Sequence, residues 1–233
     1  MKALPGFIFD GCIKLGLMTF PLKYIFAALA LAGLTACIHT PITLTVVEAF
    51  SKGANLKALS LNPNLRYLRV STQGRTALMV LGYVDPTDSG PIETWYSREG
   101  AVLRLQNGRM VGTAGLTVDW RTVRYKGLPA WTEMAGGQVA EFERDRDEMP
   151  GYRFNLADKV VLRQVPPPTH SALEGLQAGD LIWYEETVMA PGGPLPSARY
   201  GLRDKDGVRT VVFGEQCLSA QFCMSWQTWP EQP

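Results

Sequence analysis

Histidine is scarce in this chain of 233 residues, which contains only two. Nucleophile–base catalysis commonly needs a histidine or an equivalent base. His39 lies near the N-terminus, and His170 follows three prolines that are typical of an extended surface loop. The sequence also lacks an HExxH motif and a phosphate-binding glycine loop. These absences predict a protein that is not an enzyme and that holds no metal or cofactor.

A pair of carboxylates can hydrolyse a glycosidic bond without a histidine. The candidates are Asp145, Asp147 and Glu148, and the adjacent pair Glu185 and Glu186. The first group lies in a run of alternating charge, which reads more simply as a solvated strand end and turn. Adjacent residues on a strand point to opposite faces, so the second pair cannot face one substrate. A carboxylate-dependent, glycan-active enzyme is therefore a minor alternative.

An excess of positive charge is missing as well, since 23 basic side chains stand against 22 acidic ones. Electrostatic capture of nucleic acid needs a basic face. The balance shifts slightly to the acidic side, with 20 basic and 21 acidic side chains, once residues 1–36 are set aside. The composition thus predicts no nucleic-acid partner.

The apolar run near the N-terminus, Tyr24–Ala36, has 13 residues, whereas a helix that crosses a bilayer needs about 20. Lys23 precedes the run and small residues end it, which is the pattern of a secretory signal. Leu34-Thr35-Ala36-Cys37 resembles the lipobox of bacterial lipoproteins, whose leader is cleaved before a cysteine that is then acylated. This resemblance implies lipid attachment at Cys37. The alternative is an uncleaved membrane anchor in which Cys37 is an ordinary thiol.

Three segments follow from this interpretation. Residues 1–36 are the leader, and Met18 begins a better-formed leader than the residues before it. Residues 37–43 are a tether, and residues 44–233 form a single β-rich periplasmic domain.

The attachment at Cys37 also predicts a location. Two or more acyl chains give stable membrane attachment, where one chain would be marginal. Ile38 stands after the cysteine in place of an aspartate. By enteric-type sorting this implies an outer-membrane, lipid-anchored protein that faces the periplasm.

Cysteine is rare, with four residues in the chain. Cys12 and Cys37 belong to the leader and the anchor, which leaves Cys217 and Cys223. An even remainder at close spacing in an oxidising compartment favours a disulfide. Two buried free thiols are the alternative. A metal site is less favoured, because neither a CxxC motif nor a nearby histidine accompanies the pair.

The body of the chain reads as many short strands separated by turn signals, a pattern typical of an all-β structure. A short helix is predicted over 44–58, and Asn62-Pro63-Asn64 ends it. Asn107-Gly108 is the strongest hairpin signal, and Asp206-Gly207 is a second. The predicted strands are 65–70, 76–84, 93–98, 101–106, 109–113, 116–125, 138–144, 159–165, 181–188, 198–203 and 208–213.

Four segments resemble the YjbF/GfcB family of lipoproteins in order and spacing: Arg66-Tyr67-Leu68-Arg69-Val70, Trp95-Tyr96-Ser97, Asn107-Gly108-Arg109 and Thr113-Ala114-Gly115-Leu116. The family is encoded with capsule and exopolysaccharide export genes. The resemblance implies a strongly curved antiparallel sheet or half-barrel with one or two short helices. It also implies a non-catalytic role in secreting or assembling a surface polysaccharide, alongside other export proteins.

Aromatic residues supply the candidates for a binding site, because aromatic faces on a curved sheet can stack on sugar rings or contact an acyl chain. Most large rings are nevertheless buried in cores. Trp95, Tyr96 and Trp131 are the candidates, and Trp131 is expected in a loop after Lys126-Gly127-Leu128-Pro129-Ala130. Two functional hypotheses remain. The protein is either an accessory that holds another export component, or a half-barrel carrier that binds a lipid or glycan ligand in an open groove.

Overall fold

The computed structural model describes residues 56–230. The predicted leader, the lipid-attachment cysteine Cys37 and the tether lie outside the described residues. So does most of the helix predicted over 44–58, whose last three residues form a short 3₁₀ helix, Leu56–Ala58. Within the described part of the chain, no helix is long and apolar enough to cross a membrane.

Twelve strands make up most of this region, and the helical elements are limited to three short 3₁₀ helices. The helices are Leu56–Ala58, Trp131–Gly137 and Ala178–Asp180. The strands are β1 (Tyr67–Thr72), β2 (Arg75–Asp85), β3 (Ile92–Tyr96), β4 (Val102–Gln106), β5 (Arg109–Ala114), β6 (Asp119–Lys126), β7 (Val139–Met149), β8 (Arg153–Val165), β9 (Ile182–Ala190), β10 (Gly193–Lys205), β11 (Val208–Ser219) and β12 (Phe222–Trp229).

All twelve strands belong to one antiparallel sheet, in which β1 pairs with β12 and every two consecutive strands pair except β5 and β6. Strands β5 and β6 are therefore the two edges of the sheet. Side chains span this seam, because the Trp120 amide donates to Thr113 Oγ1 at 3.0 Å and the Tyr125 hydroxyl donates to the Met110 carbonyl at 2.9 Å. The sheet is thus a nearly closed, barrel-like structure, and the predicted mainly β, strongly curved antiparallel fold is confirmed.

Alternation along the strands divides the apolar residues between the two faces of the sheet. On β1, Leu68 packs in the large core cluster, whereas its neighbour Tyr67 packs in a smaller cluster with Leu56 and Trp229. A third cluster contains Leu181, Trp183 and Phe213. The inner face therefore holds the main core, and short segments cover two patches of the outer face.

Strand β7 corrects one expectation about charge. The run 141–148 was expected to be a solvated strand end and turn, but β7 continues to Met149 and buries Arg144, Arg146 and Glu148 on its inner face. Asp158 on β8 is also fully buried, and it accepts hydrogen bonds from both arginines, from Arg144 Nη2 at 2.8 Å and from Arg146 Nε at 2.9 Å. Charged residues can occupy inward positions here because they neutralise one another.

Both glycine-containing hairpin signals form tight turns. Asn107 and Gly108 have φ values of 49° and 77°, and Asp206 and Gly207 have values of 55° and 81°. Positive φ at both central residues is the requirement of a type I′ turn. Strand β12 was not predicted, and it is joined to β11 by the Cys217–Cys223 disulfide.

Candidate ligand-binding cleft

One cleft of about 970 Å³ opens at the end of the sheet where β4 turns into β5. Its walls come from Arg66 and Leu68 at the start of β1, from Glu93 and Trp95 on β3, from the β4–β5 hairpin and from the last residues of β6. The segment 127–132 and the neighbouring parts of β11 and β12 complete it. A volume near the upper end of the range for ligand pockets, roughly 300–1,000 Å³, makes this the default candidate site.

Trp95 lies in the wall of this cleft, as an aromatic binding residue would. Its side chain is 2% exposed, and the Arg66 guanidinium carbon lies 5.5 Å from its ring centroid. Arg66 itself is largely exposed and donates from Nη2 to Glu93 Oε1 at 2.6 Å. The pair therefore presents a cationic fork in front of an aromatic face.

Trp131 also lines the cleft, but it does not lie in an open loop as predicted. It is the first residue of the 3₁₀ helix Trp131–Gly137, and it is 6% exposed. Its Nε1 donates to the Asn107 carbonyl at 2.9 Å, and its ring packs against Tyr184 and Tyr200. The β4–β5 turn, β9 and β10 thus hold the indole in place, and Trp131 belongs to the main core as well as to the cleft wall.

Tyr96 is the candidate that the structure separates from the other two. It follows Trp95 on β3 and therefore points to the opposite face of the sheet. There it is 39% exposed and packs against Tyr83, with ring centroids 6.3 Å apart. Trp95 and Trp131 line the cleft, and Tyr96 does not.

Arg109 is the cleft residue that sequence reasoning missed as a site candidate. It is the first residue of β5, directly after the Asn107-Gly108 turn, and its guanidinium carbon lies 3.3 Å from the Trp131 ring centroid. Its Nε donates to Glu186 Oε1 at 3.2 Å, and both side chains are buried. Its place after a hairpin turn was visible in the sequence, but its contact with Glu186 joins residues 77 positions apart and leaves no local pattern.

Two unsatisfied donors belong to this lining. Among the described residues, the buried side-chain atoms without a hydrogen-bond partner are Thr94 Oγ1, Trp95 Nε1 and Arg109 Nη2. Buried polar groups are normally paired, and each exception requires an explanation. Trp95 and Arg109 both line the cleft, so two of the three unpaired atoms belong to cleft residues.

The charge of the lining is predominantly positive. It contains Arg66, Arg109, Arg124 and Arg209, against Glu93 alone on the acidic side. Carboxylates outside the lining pair with three of these arginines, and they are Glu186, Asp147 and Asp204. Each of the four arginines thus has a carboxylate partner, and only one of these partners, Glu93, belongs to the lining.

Hydroxyl groups near the cleft remain protonated at physiological pH. Burial raises the pKa of Tyr125 to about 12, and it raises the pKa of Tyr200 well above its ordinary value. Tyr200 donates to Glu186 Oε2 at 3.3 Å. Glu186 thus accepts from Tyr200 as well as from Arg109, which fixes the carboxylate behind the cleft.

The carboxylates considered for glycoside hydrolysis do not form a facing pair. Each of them forms an ion pair with a basic residue: Asp145 with Lys126, Asp147 with Arg124, and Glu148 with Arg146. Glu185 bonds Arg163 and Arg199 on the outer face, whereas Glu186 is buried inside. Within residues 56–230, no group of three or more histidine, cysteine or acidic side chains is arranged to hold a metal ion.

Comparison with known proteins identifies a family and a similarity in fold to a solved structure. The family model described as group 4 capsule polysaccharide lipoprotein gfcB, YjbF matches residues 56–189. The crystal structure of the hypothetical lipoprotein YmcC from Escherichia coli K12 is similar in fold, with a TM-score of 0.54 at 16% identity, and the match covers 92% of this chain and 98% of that one. No curated protein matches.

Proposed function

This chain belongs to the YjbF/GfcB family of group 4 capsule polysaccharide lipoproteins, and on that premise we propose that it is a non-catalytic accessory in capsule or exopolysaccharide secretion and assembly. The protein is attached to the outer membrane through acyl chains on Cys37 and faces the periplasm. Its partners are other proteins of the polysaccharide export machinery. The observation that carries the proposal is the family match over residues 56–189.

The packing of the sheet supports an accessory role over that of a lipid carrier. A carrier of an acyl chain needs an open apolar lumen, as in barrels that hold one small ligand. Here the inner face holds bulky side chains and buried ion pairs, among them Trp120, Arg144 and Asp158. Met134 of the 3₁₀ helix is also buried and belongs to the same core. The interior of the sheet is therefore filled except at the end cleft.

Glycan binding is the second candidate function, and the end cleft favours it. Trp95 and Trp131 line this cleft together with arginines, and aromatic faces with charged hydrogen-bond donors are suited to sugars. This function is compatible with the first, since an export accessory can contact the polymer that passes it.

A complementation experiment tests the proposed function. The gene is deleted, and surface polysaccharide is quantified in strains that carry the wild-type gene, the Cys37→Ala variant or an empty vector. We expect the empty vector to reduce surface polysaccharide, the wild type to restore it, and Cys37→Ala to fail although the chain is present. Polysaccharide that is unchanged by deletion would overturn the proposal.

A further inference from the structure

We propose that the end cleft binds an acidic sugar residue, in which a pyranose ring carries a carboxylate, within a polysaccharide chain. This inference rests on the proposed function and goes beyond it by naming a site and a ligand class. Three features of the cleft, which share residues, carry it: two arginine–tryptophan pairs, two unsatisfied donors and more cations than anions in the lining.

The two arginine–tryptophan pairs provide both kinds of contact that an acidic sugar needs. Arg66 lies over Trp95 and Arg109 lies over Trp131. A guanidinium has five N–H donors in a planar fork that matches a carboxylate. An indole offers an apolar face that suits the C–H groups of a pyranose. Arg66 is the exposed member of the first pair, whereas Arg109 and Trp131 are only 1% and 6% exposed, so an acidic sugar gains over a neutral one mainly through Arg66.

The unsatisfied donors indicate that the ligand carries acceptor oxygens. Trp95 Nε1 and Arg109 Nη2 have no hydrogen-bond partner, and they belong to residues that are only 2% and 1% exposed. A donor left unpaired in this way costs free energy that an incoming acceptor recovers. Hydroxyl and carboxylate oxygens of a sugar acid are acceptors of this kind, and an acyl chain has none.

The charge of the lining selects an anion over a neutral ligand. Arg66 is the accessible cation, with its side chain 58% exposed. Its guanidinium is already oriented by the hydrogen bond to Glu93 Oε1 at 2.6 Å, which lowers the entropy cost of binding an oxyanion. Arg124 lies between the inward residues Val123 and Tyr125 on β6, so it points to the outer face of the sheet, where it bonds Asp147 and Asn155.

Calorimetric titration of the purified full-length protein tests the inference with two probes, trigalacturonate and its fully methyl-esterified form. We expect trigalacturonate to bind, the ester to bind on the order of tenfold more weakly because it cannot form the charge-assisted hydrogen bonds, and added salt to weaken binding of the acid form. Equal binding of acid and ester, or no binding of the acid, would overturn the inference.

Arg66→Gln assigns the binding to the cleft. The Arg66 side chain is largely exposed, so the variant keeps the fold, and it is expected to raise the Kd for trigalacturonate about five- to tenfold. Arg163→Gln is the matched control, because Arg163 is similarly exposed at 56% and bonds a carboxylate, Glu185, outside the cleft. A Kd raised as much by the control as by the cleft variant would place the binding elsewhere.

The two proposals fail separately. If trigalacturonate does not bind but gene deletion still lowers surface polysaccharide, the cleft inference falls and the accessory function stands. If trigalacturonate binds in the cleft but deletion leaves the polysaccharide unchanged, the accessory function falls and the cleft is a glycan site that serves another process.

Discussion

The Arg109 guanidinium carbon lies 3.3 Å from the centroid of the Trp131 ring, and the same guanidinium bonds the buried carboxylate of Glu186. Removing one partner of such a buried pair is costly, because the other charge is left uncompensated. The contact joins the wall of the cleft to a carboxylate of the core. The geometry of the cleft therefore depends on Glu186, which is not part of the lining.

Glu186→Gln should destabilise the protein by about 3–5 kcal/mol, because it leaves the buried Arg109 without its counter-ion. The control is Glu185→Gln, one residue away on the outer face, where an exposed ion pair contributes about 0–1 kcal/mol. Urea unfolding followed by tryptophan fluorescence gives both values. Equal effects at the two positions would contradict the account of the core.

Gly108→Ala should destabilise more than Gly207→Ala, although both glycines occupy the second position of a tight hairpin turn. Both have positive φ, which costs an alanine about 1–2 kcal/mol. A Cβ at position 108 would also lie 2.3 Å from Val211 Cβ, whereas one at position 207 would meet nothing within 4 Å. Overpacking adds about 1–3 kcal/mol at position 108 alone.

The two unfolding free energies, measured under the same conditions, separate the backbone cost from the packing cost. Similar losses for both variants would mean that the β4–β5 hairpin is not packed against β11. In that case β11 would not form part of the cleft wall beside the hairpin.

Glu185 gives a prediction about pH. Hydrogen bonding from Arg163, and then from Arg199, lowers the pKa of the Glu185 carboxyl below its ordinary value of 4.5. A group whose pKa is lowered by folding stabilises the protein above its ordinary pKa, and this contribution is lost as the pH falls through the folded value.

The difference in unfolding free energy between wild type and Glu185→Gln should therefore be constant from pH 7 to about pH 5 and should decrease below that. Urea unfolding at several pH values measures it. A difference that grows as the pH falls would have the wrong sign and would contradict the assigned ion pair.

The Cys217–Cys223 disulfide closes a short loop at the end of the β11–β12 hairpin. Replacing both cysteines with alanine should lower the free energy of unfolding by about 2 kcal/mol, since the unfolded chain gains freedom. Wild-type protein unfolded with a reducing agent should show the same loss. A double variant as stable as the oxidised protein would show that the bridge contributes nothing to stability.

Local signals in the sequence predicted the fold well. The Asn107-Gly108 and Asp206-Gly207 hairpins form as expected, because their turn chemistry is decided by the two residues themselves. Strand β12 was not predicted, although it fills the place between β1 and β11 and closes the sheet. Its apolar and polar residues, Phe222–Trp229, are nearly all buried, so the alternation that marks a half-exposed strand is absent.

The cleft was predicted in part. Trp95 and Trp131 were identified by residue type, but Tyr96 points away from them, since one position along a strand reverses the face. The inward charges were read as solvated, because a sequence does not reveal that Arg144 and Asp158 neutralise each other across two strands. Long-range pairing of this kind depends on the register between strands.

The central claim is that this chain is a lipid-anchored polysaccharide accessory, and the intact mass of the protein extracted from membranes tests it most directly. We predict a chain that begins at Cys37 and carries acyl mass, whereas the Cys37→Ala variant carries none and leaves the membrane fraction. A wild-type chain recovered without acyl mass, with Cys37 as a free thiol, would contradict the claim.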